Sequence, residues 1–336
     1  MSTIYEIARI AGVSTATVSN VLNNKGRFSD ETRSRILSIA QSEGYILNLN
    51  ARNLSVRKTS TVGIVTPDVS NEFFSTIVLE IEGAMRERGL ASFICNTGYS
   101  TSRTQSCLYE LRSRHVDGIF FVGNVPIVDI SSLGELPCSF IDHAIEAIPA
   151  RGFTVGNDLD ALLHDQISLL KSHGCQRCTL LSPDMGKKLS PQVAERFRRV
   201  SRSADVASLR FDEILFVPSD FHGSFGSASA KITELVERRD FDGLAVIGDR
   251  LAATTCDIMK EHGQVPGKDA LVIGADNSVY SKLYHPALST IERNPALMAR
   301  AAAGAMSALL AGADPVEQNL VIPHRIVERE TTLGMR

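Results

Sequence analysis

Residues 4–23 read IYEIARIAGVSTATVSNVLN, and this stretch decides how the start of the chain folds. Its first apolar residues repeat at the spacing of one helix face: Ile4, Ile7, Ala8 and Ala11. Gly12 favours a turn there, because glycine accepts the left-handed backbone conformation at a helix end. Ser14 can then cap a second helix that begins near Thr15. The pattern predicts two short helices joined by a tight turn.

The second helix has one apolar face and one short, polar face. The inward side chains are Val18, Val21 and Leu22, and the outward ones are Thr15, Thr17, Ser19 and Asn20. A third helix is predicted after Ser29, with Asp30 and Glu31 in its first turn, where the helix dipole favours acids. Its apolar residues are Ile36, Leu37, Ile39 and Ala40, and Gly44 ends it.

Two helices joined by such a turn and braced by a third form a helix-turn-helix unit. Short polar side chains suit a helix that enters the major groove, because they reach base edges without holding the backbone away from the DNA. The pattern alone also fits a small helical bundle whose polar face is merely solvated.

Charge separates this head from the rest of the chain. Residues 1–60 carry eight Lys/Arg and four Asp/Glu, a net charge of +4, and the remainder carries 27 and 34, a net charge of −7. A basic head on an acidic body fits a head that binds a polyanion, although chance variation of the surface would also produce this asymmetry.

The quoted stretch resembles the headpiece of the LacI/GalR family of bacterial repressors. The resemblance is carried by AGVS (residues 11–14), TVS (17–19) and VLN (21–23), without a gap. It implies that Thr15, Ala16 and Asn20 read bases, with Thr17 and Ser19 on the same DNA-facing side.

Asn20 departs from the family, which usually has Arg at this position. Arg pairs with guanine, whereas Asn pairs with adenine. We therefore expect the operator to differ from the family norm at that base pair.

Residues 46–60 resemble the family's hinge, with Asn48, Ala51 and Leu54 as candidate minor-groove residues. Leu54 would be the wedge that kinks the DNA, or it would simply pack against its own chain. Leu47 stands where the family usually has Pro.

The body alternates short apolar strands with amphipathic helices, which indicates an α/β fold with parallel sheets. Strands are predicted at 61–65, 91–95, 118–122, 178–181, 214–217, 244–247 and 270–273, with helices between them. The helix after the first strand is predicted to be capped by Ser70. Resemblance extends over this region and implies a two-lobed, type-I periplasmic-binding-protein-like fold crossed by the chain near residues 158, 290 and 320.

These boundaries give three predicted segments: 1–45 for DNA binding, 46–60 for the hinge and linker, and 61–333 for effector binding and dimerisation. The predicted N-lobe comprises about 61–158 and 291–319, and the C-lobe comprises about 159–289 and 320–333.

Ligands of parallel sheets bind beyond the carboxyl ends of the strands. The candidate effector contacts there are Phe73, Phe74, Asp142, Asp249 and Asp276. The Phe rings could stack on a sugar, and each carboxylate can accept hydroxyl hydrogen bonds. A post-strand Asp can equally be a helix cap, and Phe74 lies on an apolar helix face. Val193 stands where the family often has an effector-binding Arg, which suggests a different ligand, a shifted register or a lost response.

Other chemistry finds little support in the sequence. Cys175 and Cys178 form a lone CxxC before an apolar strand, and no second pair completes a zinc site. No HExxH, GxSxG or Walker A motif is present. We expect no enzyme activity, no metal and no cofactor. A periplasmic-type sugar-binding protein or a doubly wound α/β enzyme remains the alternative for the body taken alone.

The expectation for the whole chain is a repressor whose partners are operator DNA, a small-molecule effector and a second copy of itself. No apolar run approaches the ~20 residues of a membrane helix. The start lacks a signal-peptide pattern, and six scattered cysteines suit a reducing compartment. These features predict a cytoplasmic, nucleoid-associated protein.

Overall fold

The computed structural model describes residues 2–22, 26–45, 59–126, 133–143, 145, 147–184, 186–203, 210–218, 225–313 and 317–334. Side chains at 186–191, 210–214, 218 and 225–227 are outside this description. The chain divides into two compact units, Met1–Thr59 and Ser60–Arg336.

The first unit contains three helices: α1 (Ile4–Ala11), α2 (Thr15–Leu22) and α3 (Asp30–Ser42). Its core consists of Ile7, Ala8, Ala11, Val18, Val21 and Ile36. Gly12 adopts φ 65° after α1, and Ser29 caps α3 by accepting the amide N–H of Thr32. Leu37 does not join the core as predicted: it is 47% exposed, because the buried face of α3 is set by Ile36 and Ala40.

The second unit contains two six-stranded sheets. The N-lobe sheet has the order β11-β5-β4-β3-β1-β2, and the C-lobe sheet has the order β12-β10-β9-β8-β6-β7. Neighbouring strands are parallel except β10 and β12, which are antiparallel. The N-lobe strands are β1 (Thr61–Thr66), β2 (Ala91–Asn96), β3 (Gly118–Val122), β4 (Cys138–Ile141), β5 (Gly152–Gly156) and β11 (Asn319–Val321). The C-lobe strands are β6 (Arg177–Asp184), β7 (Arg210–Pro218), β8 (Gly243–Val246), β9 (Leu271–Ala275), β10 (Ser289–Glu292) and β12 (Arg325–Val327).

Helices cover both faces of each sheet. They are α4 (Glu72–Glu87), α5 (Thr101–Ser113), α6 (Leu159–Ser172), α7 (Gly186–Ser201), α8 (Phe225–Arg238), α9 (Asp249–Glu261), α10 (Val279–Leu283), α11 (Pro295–Leu310) and α12 (Glu330–Leu333). Each sheet therefore has an apolar core on both faces, which explains why its central strands are almost continuously apolar. The predicted fold class, a helical head on a two-lobed parallel α/β body, is confirmed.

The chain passes between the sheets three times: between β5 and α6, between β10 and α11, and between β11 and β12. Asn157 joins all three passages. Its amide group donates to the carbonyl oxygens of Arg293 (3.2 Å) and Ile322 (2.9 Å), and its Oδ1 accepts from Arg293 Nε (3.0 Å). One side chain thus fixes the place where the two lobes are connected.

Candidate functional site

The outward face of α2 consists of short side chains. Ala16 and Asn20 are exposed, whereas Thr15, Thr17 and Ser19 are half-buried. The opposite face of the helix is held in the head's core by Val18 and Val21. The head therefore presents a shallow polar surface on a fixed helix, the shape required for contact with base edges.

Ser14 fixes the start of this surface. Its Oγ accepts the Thr17 amide N–H at 3.1 Å and lies 2.9 Å from the Thr17 hydroxyl. Thr17 is consequently engaged in capping α2, in addition to facing outward. The hinge candidates Asn48, Ala51 and Leu54 lie outside the described residues.

In the body, the candidate effector residues lie at the carboxyl ends of strands from both lobes. Asn71 positions the aromatic pair after β1, because its Oδ1 caps α4 by accepting the N–H groups of Phe73 (3.0 Å) and Phe74 (3.4 Å). Ser70, the cap predicted from sequence, instead bonds to Asp68 Oδ1 at 2.7 Å. The two rings meet edge to face with centroids 5.8 Å apart.

The two Phe side chains have different surroundings. Phe73 is 4% exposed and belongs to the N-lobe core. Phe74 packs over Gly123, where a Cβ would lie 2.7 Å from the ring. Gly123 is therefore needed for the ring to approach the end of β3.

Asp142 follows β4 and Asp276 follows β9, and both have a left-handed backbone conformation, with φ 51° and 112°. Such conformations are strained for non-glycine residues and occur often at functional sites. Their side chains are 15% and 13% exposed, respectively. The two carboxylates belong to different lobes.

Arg293, which follows β10, joins these two carboxylates. Its Nη1 donates to Asp276 Oδ1 at 3.4 Å and its Nη2 donates to Asp142 Oδ1. The guanidinium also lies 4.2 Å from the centroid of the Phe73 ring, in a cation–π contact. Burial alone would lower the pKa of Arg293, but Asp142 and Asp276 raise it above its ordinary value, so the group stays charged.

Burial raises the pKa of Asp276 to about 8, with the neighbouring Asp249 and Asp142 adding to the rise and Arg293 opposing it. The site therefore contains more acidic groups than basic ones. Protonation of Asp276 is one way in which this imbalance is relieved.

Asp249 has a different environment from Asp142 and Asp276. It is fully buried within the C-lobe, where Oδ1 accepts the Thr290 hydroxyl at 2.6 Å and Oδ2 accepts the Ser278 amide at 2.7 Å. Gly274 allows this packing, since a Cβ there would lie 2.4 Å from Asp249 Oδ1. Burial raises the pKa of Asp249 to about 6, against these hydrogen bonds. Its two oxygens thus bind other parts of the same lobe.

Val193 packs against the C-lobe core, so the structure provides no cationic side chain at that position. Arg196 nearby pairs with Asp160 at the surface, at 3.5 Å. Sequence reasoning missed Arg293 and Asn157. Arg293 directly follows a buried strand, and a charged residue in that position would have indicated a site. The strand, β10, was not among the predicted ones, so Arg293 was not recognised.

The CxxC motif is part of the C-lobe core. Cys175 Sγ donates to the Asp242 carbonyl oxygen at 3.2 Å, and both thiols lie against the position of a Cβ on Gly243. Within the described ranges, Cys175, Cys178 and Asp242 are the one group of three potential metal ligands. The hydrogen bond that the Cys178 thiol makes to Cys175, together with burial, raises the pKa of Cys178, which keeps it a thiol.

Comparison with known proteins agrees with both halves of this description. Residues 3–48 match the model of bacterial regulatory proteins of the lacI family, and residues 167–332 match the periplasmic binding protein-like domain. The HTH-type transcriptional regulator DegA of Bacillus subtilis is 26% identical over 98% of this chain and 98% of its own length. The ribose operon repressor of Bacillus subtilis is 27% identical over 99% of both chains.

Solved structures show the same architecture. A lac repressor dimer bound to operator and the anti-inducer ONPF superimposes with a TM-score of 0.83 at 21% identity, covering 98% of this chain and 99% of that one. The transcriptional regulator CelR in complex with cellobiose gives a TM-score of 0.69 at 21% identity, covering 98% of this chain and all of that one.

A helix-turn-helix head on a two-lobed binding-protein-like body defines a DNA-binding transcriptional regulator. The head matches the lacI family of bacterial regulatory proteins, and the chain aligns over nearly its whole length with HTH-type transcriptional regulators. Among the described residues, no helix has both the length and the apolar character needed to cross a membrane.

Proposed function

We propose that this protein is a repressor that binds an inverted-repeat operator as a homodimer and responds to a small metabolite held between its lobes. The observation that carries the DNA-binding part is the short, polar, outward face of α2 on a head with a net charge of +4. Thr15, Ala16 and Asn20 contact bases in this proposal, and Thr17 and Ser19 lie beside the phosphates. Residues 1–45 form the reading head.

Residues 46–60 form the hinge in this proposal. Asn48 and Ala51 contact the minor groove, and Leu54 inserts between base pairs and kinks the DNA. Leu54→Ala should then weaken specific binding more than non-specific binding, because only the specific complex is kinked. Equal losses on operator and random DNA would contradict a wedge role.

The homodimer is supported by apolar side chains at one edge of the N-lobe sheet. On the edge strand β2, Phe93 and Ile94 are 40% and 48% exposed, and Tyr109 of α5 is 76% exposed. Large apolar side chains grouped at an unpaired sheet edge are typical of an interface. Two-fold symmetry of the protein then matches an inverted repeat in the operator.

The effector site in this proposal consists of Phe73, Asp142, Asp276 and Arg293, with Phe74 supporting Phe73. These side chains come from both lobes, so a ligand that binds them differently in two lobe arrangements can shift the balance between those arrangements. Asp249 is assigned a structural role within the C-lobe, because both of its oxygens are bound there. A sugar or sugar derivative fits the carboxylates and the ring.

A regulator of this kind works where the DNA is, in the cytoplasm and on the nucleoid.

Selection of bound sequences from a random duplex DNA library tests the proposed function. The full chain should enrich an inverted repeat, and binding to it should weaken steeply as salt rises, because phosphate contacts release counterions. A library without an enriched motif would contradict a sequence-specific regulator. A direct repeat or a single half-site would contradict the dimeric arrangement.

A further inference from the structure

The guanidinium of Arg293 fills the space between the two lobes that the effector proposal assigns to a ligand. Arg293 is only 7% exposed. It lies between Asp142 of the N-lobe and Asp276 of the C-lobe and forms ion pairs with both. Its central carbon, Cζ, lies 4.2 Å from the centroid of the Phe73 ring. The three groups suited to hold a polar ring are thus already occupied by a side chain of the same protein.

The third nitrogen of this guanidinium is held as well. Arg293 Nε donates to Asn157, which also binds the main chain at Arg293 and Ile322. The side chain is therefore fixed at the connection between the lobes, with its charged end pointing into the space between them. A fixed cation that donates a hydrogen bond from each of its three nitrogens is what a bound ligand would look like.

A second arginine also links the lobes. Arg250, in the first turn of α9, donates to the Ser70 carbonyl oxygen at 2.8 Å and lies 3.5 Å from Glu72 Oε2, both at the start of the N-lobe helix α4. The lobes are thus connected by charged contacts at two separate places, and both contacts are made by residues of the chain itself.

We propose that Arg293 is a built-in ligand of the effector site: its guanidinium takes the ligand's place and holds the lobes together without a small molecule. This inference rests on the proposed effector site. It also narrows the class of natural effector. An incoming molecule has to displace Arg293, and a neutral one replaces neither the ion pairs with Asp142 and Asp276 nor the cation–π contact with Phe73, whereas a cation can replace all three. The effector is therefore a small molecule with a guanidinium, amidinium or ammonium group, an amino-substituted sugar derivative included.

The test uses the full-length Arg293→Ala variant and the guanidinium ion as probe, at up to ~50 mM, with KCl at equal ionic strength as the salt control. Removal of the side chain empties a site of guanidinium shape and leaves Asp142, Asp276 and Phe73 around it. The melting temperature of Arg293→Ala should be lower than that of the wild type and should rise with guanidinium but not with potassium. The wild type should show no such rise.

Arg300→Ala provides the matched control. Arg300 lies on α11, close in sequence, and pairs with Glu80 at 3.6 Å with a side chain that is 60% exposed. Removal of the Arg300 side chain should change the melting temperature little, and guanidinium should not raise the melting temperature of this variant. Rescue of both variants alike would show a general salt effect and would overturn the proposal, as would rescue of neither.

Operator binding provides the second readout. If Arg293 only stabilised the fold, its removal would not make the operator affinity depend on the concentration of a small cation. The operator affinity of Arg293→Ala should change with guanidinium concentration, by at least severalfold, whereas the wild-type affinity should stay constant. If Arg293→Ala is insoluble, refolding from urea with guanidinium or with potassium replaces the melting experiment. A higher yield with guanidinium alone supports the proposal, and equal yields overturn it.

Two failures can be told apart. If the wild type selects no DNA motif, the proposed function fails, whatever the melting data show. If the wild type binds its operator but the variant ignores guanidinium, only the built-in ligand is excluded. A thermal shift of the wild type by a neutral monosaccharide would likewise overturn the requirement for a cationic effector.

Discussion

The outward face of α2 takes five side chains from the single stretch 15–20, all except Val18, whereas the site between the lobes gathers side chains from residues 73, 142, 276 and 293. The first surface consists of short, uncharged side chains that are exposed or half-buried. The second is nearly closed and consists of charged groups and an aromatic ring. Local sequence thus sets the surface proposed to read DNA, and the tertiary fold sets the site proposed to bind a ligand.

Variants of α2 and variants of the body should therefore differ in their effects. A substitution on α2 should change DNA binding and leave the body's stability unaltered, because the two units have separate cores. A substitution in the body should change stability, assembly or ligand response first, and DNA binding only as a result.

The largest expected effect is that of Ala16→Glu. Ala16 is exposed on α2, so an acid there would meet phosphates and base edges with a like charge and a longer side chain. Operator affinity should fall by about 10³-fold or more, toward the non-specific level. Fluorescence anisotropy with labelled operator measures it.

Gln41→Glu is the matched control for Ala16→Glu, since it makes the same charge change on an exposed position of α3. It should weaken binding only slightly, and the melting transition of the body should be identical in both variants. Equal losses of affinity would mean that the head's overall charge, and not the face of α2, determines binding.

A smaller effect is expected for Ile94→Asp on the edge strand β2. A charge in the proposed interface should convert the dimer into a monomer and, because two linked half-site contacts become independent, weaken operator binding on the order of 100-fold. Sedimentation velocity measures the assembly state. Val321→Asp is the control, since Val321 is 59% exposed on β11, at the opposite edge of the same sheet. A dimeric Ile94→Asp protein would place the interface elsewhere.

The smallest expected effect concerns Asp249 and pH. Burial raises the pKa of Asp249 to about 6 in the folded protein, whereas an unfolded Asp has a pKa near 3.9. The folded state therefore binds the proton more tightly, and the resulting stability, present below pH ~4, is lost as the pH rises through about 6. The loss should be on the order of 1–3 kcal/mol.

Urea unfolding followed by circular dichroism between pH 4.5 and 7.5 tests this dependence, with Asp249→Asn as the comparison. The variant cannot titrate at this position, so its free energy of unfolding should decrease less over this range than that of the wild type, and the decrease that remains is due to Asp276, whose pKa burial raises to about 8. Parallel curves for the two proteins would assign the pH dependence to other groups.

Much of the fold could be predicted from the sequence because it depends on local patterns. The helices of the head and the strands at 61–65, 91–95 and 118–122 were predicted within about one residue of their observed bounds. The cap of α4 was assigned one residue too early, to Ser70 in place of Asn71, because both are good caps and only the folded turn decides between them.

Less of the site between the lobes could be predicted from the sequence. Asp249 and Asp276 look alike there, each following an apolar strand, yet Thr290 and Ser278 bind Asp249 inside the C-lobe. Arg293 pairs with Asp142, 151 positions away along the chain. No local pattern predicts a contact of that sequence separation, so this site required the structure.

The central claim, that α2 reads operator bases, is tested most directly by comparing the motifs that the wild type and Asn20→Arg select from one random duplex library. Asn pairs with adenine and Arg with guanine, each with a discrimination of ~1–3 kcal/mol. The two proteins should select inverted repeats that differ at one position in each half-site, with adenine replaced by guanine. An unchanged motif bound more tightly by the variant would contradict it, because Asn20 would then contact only the phosphate backbone.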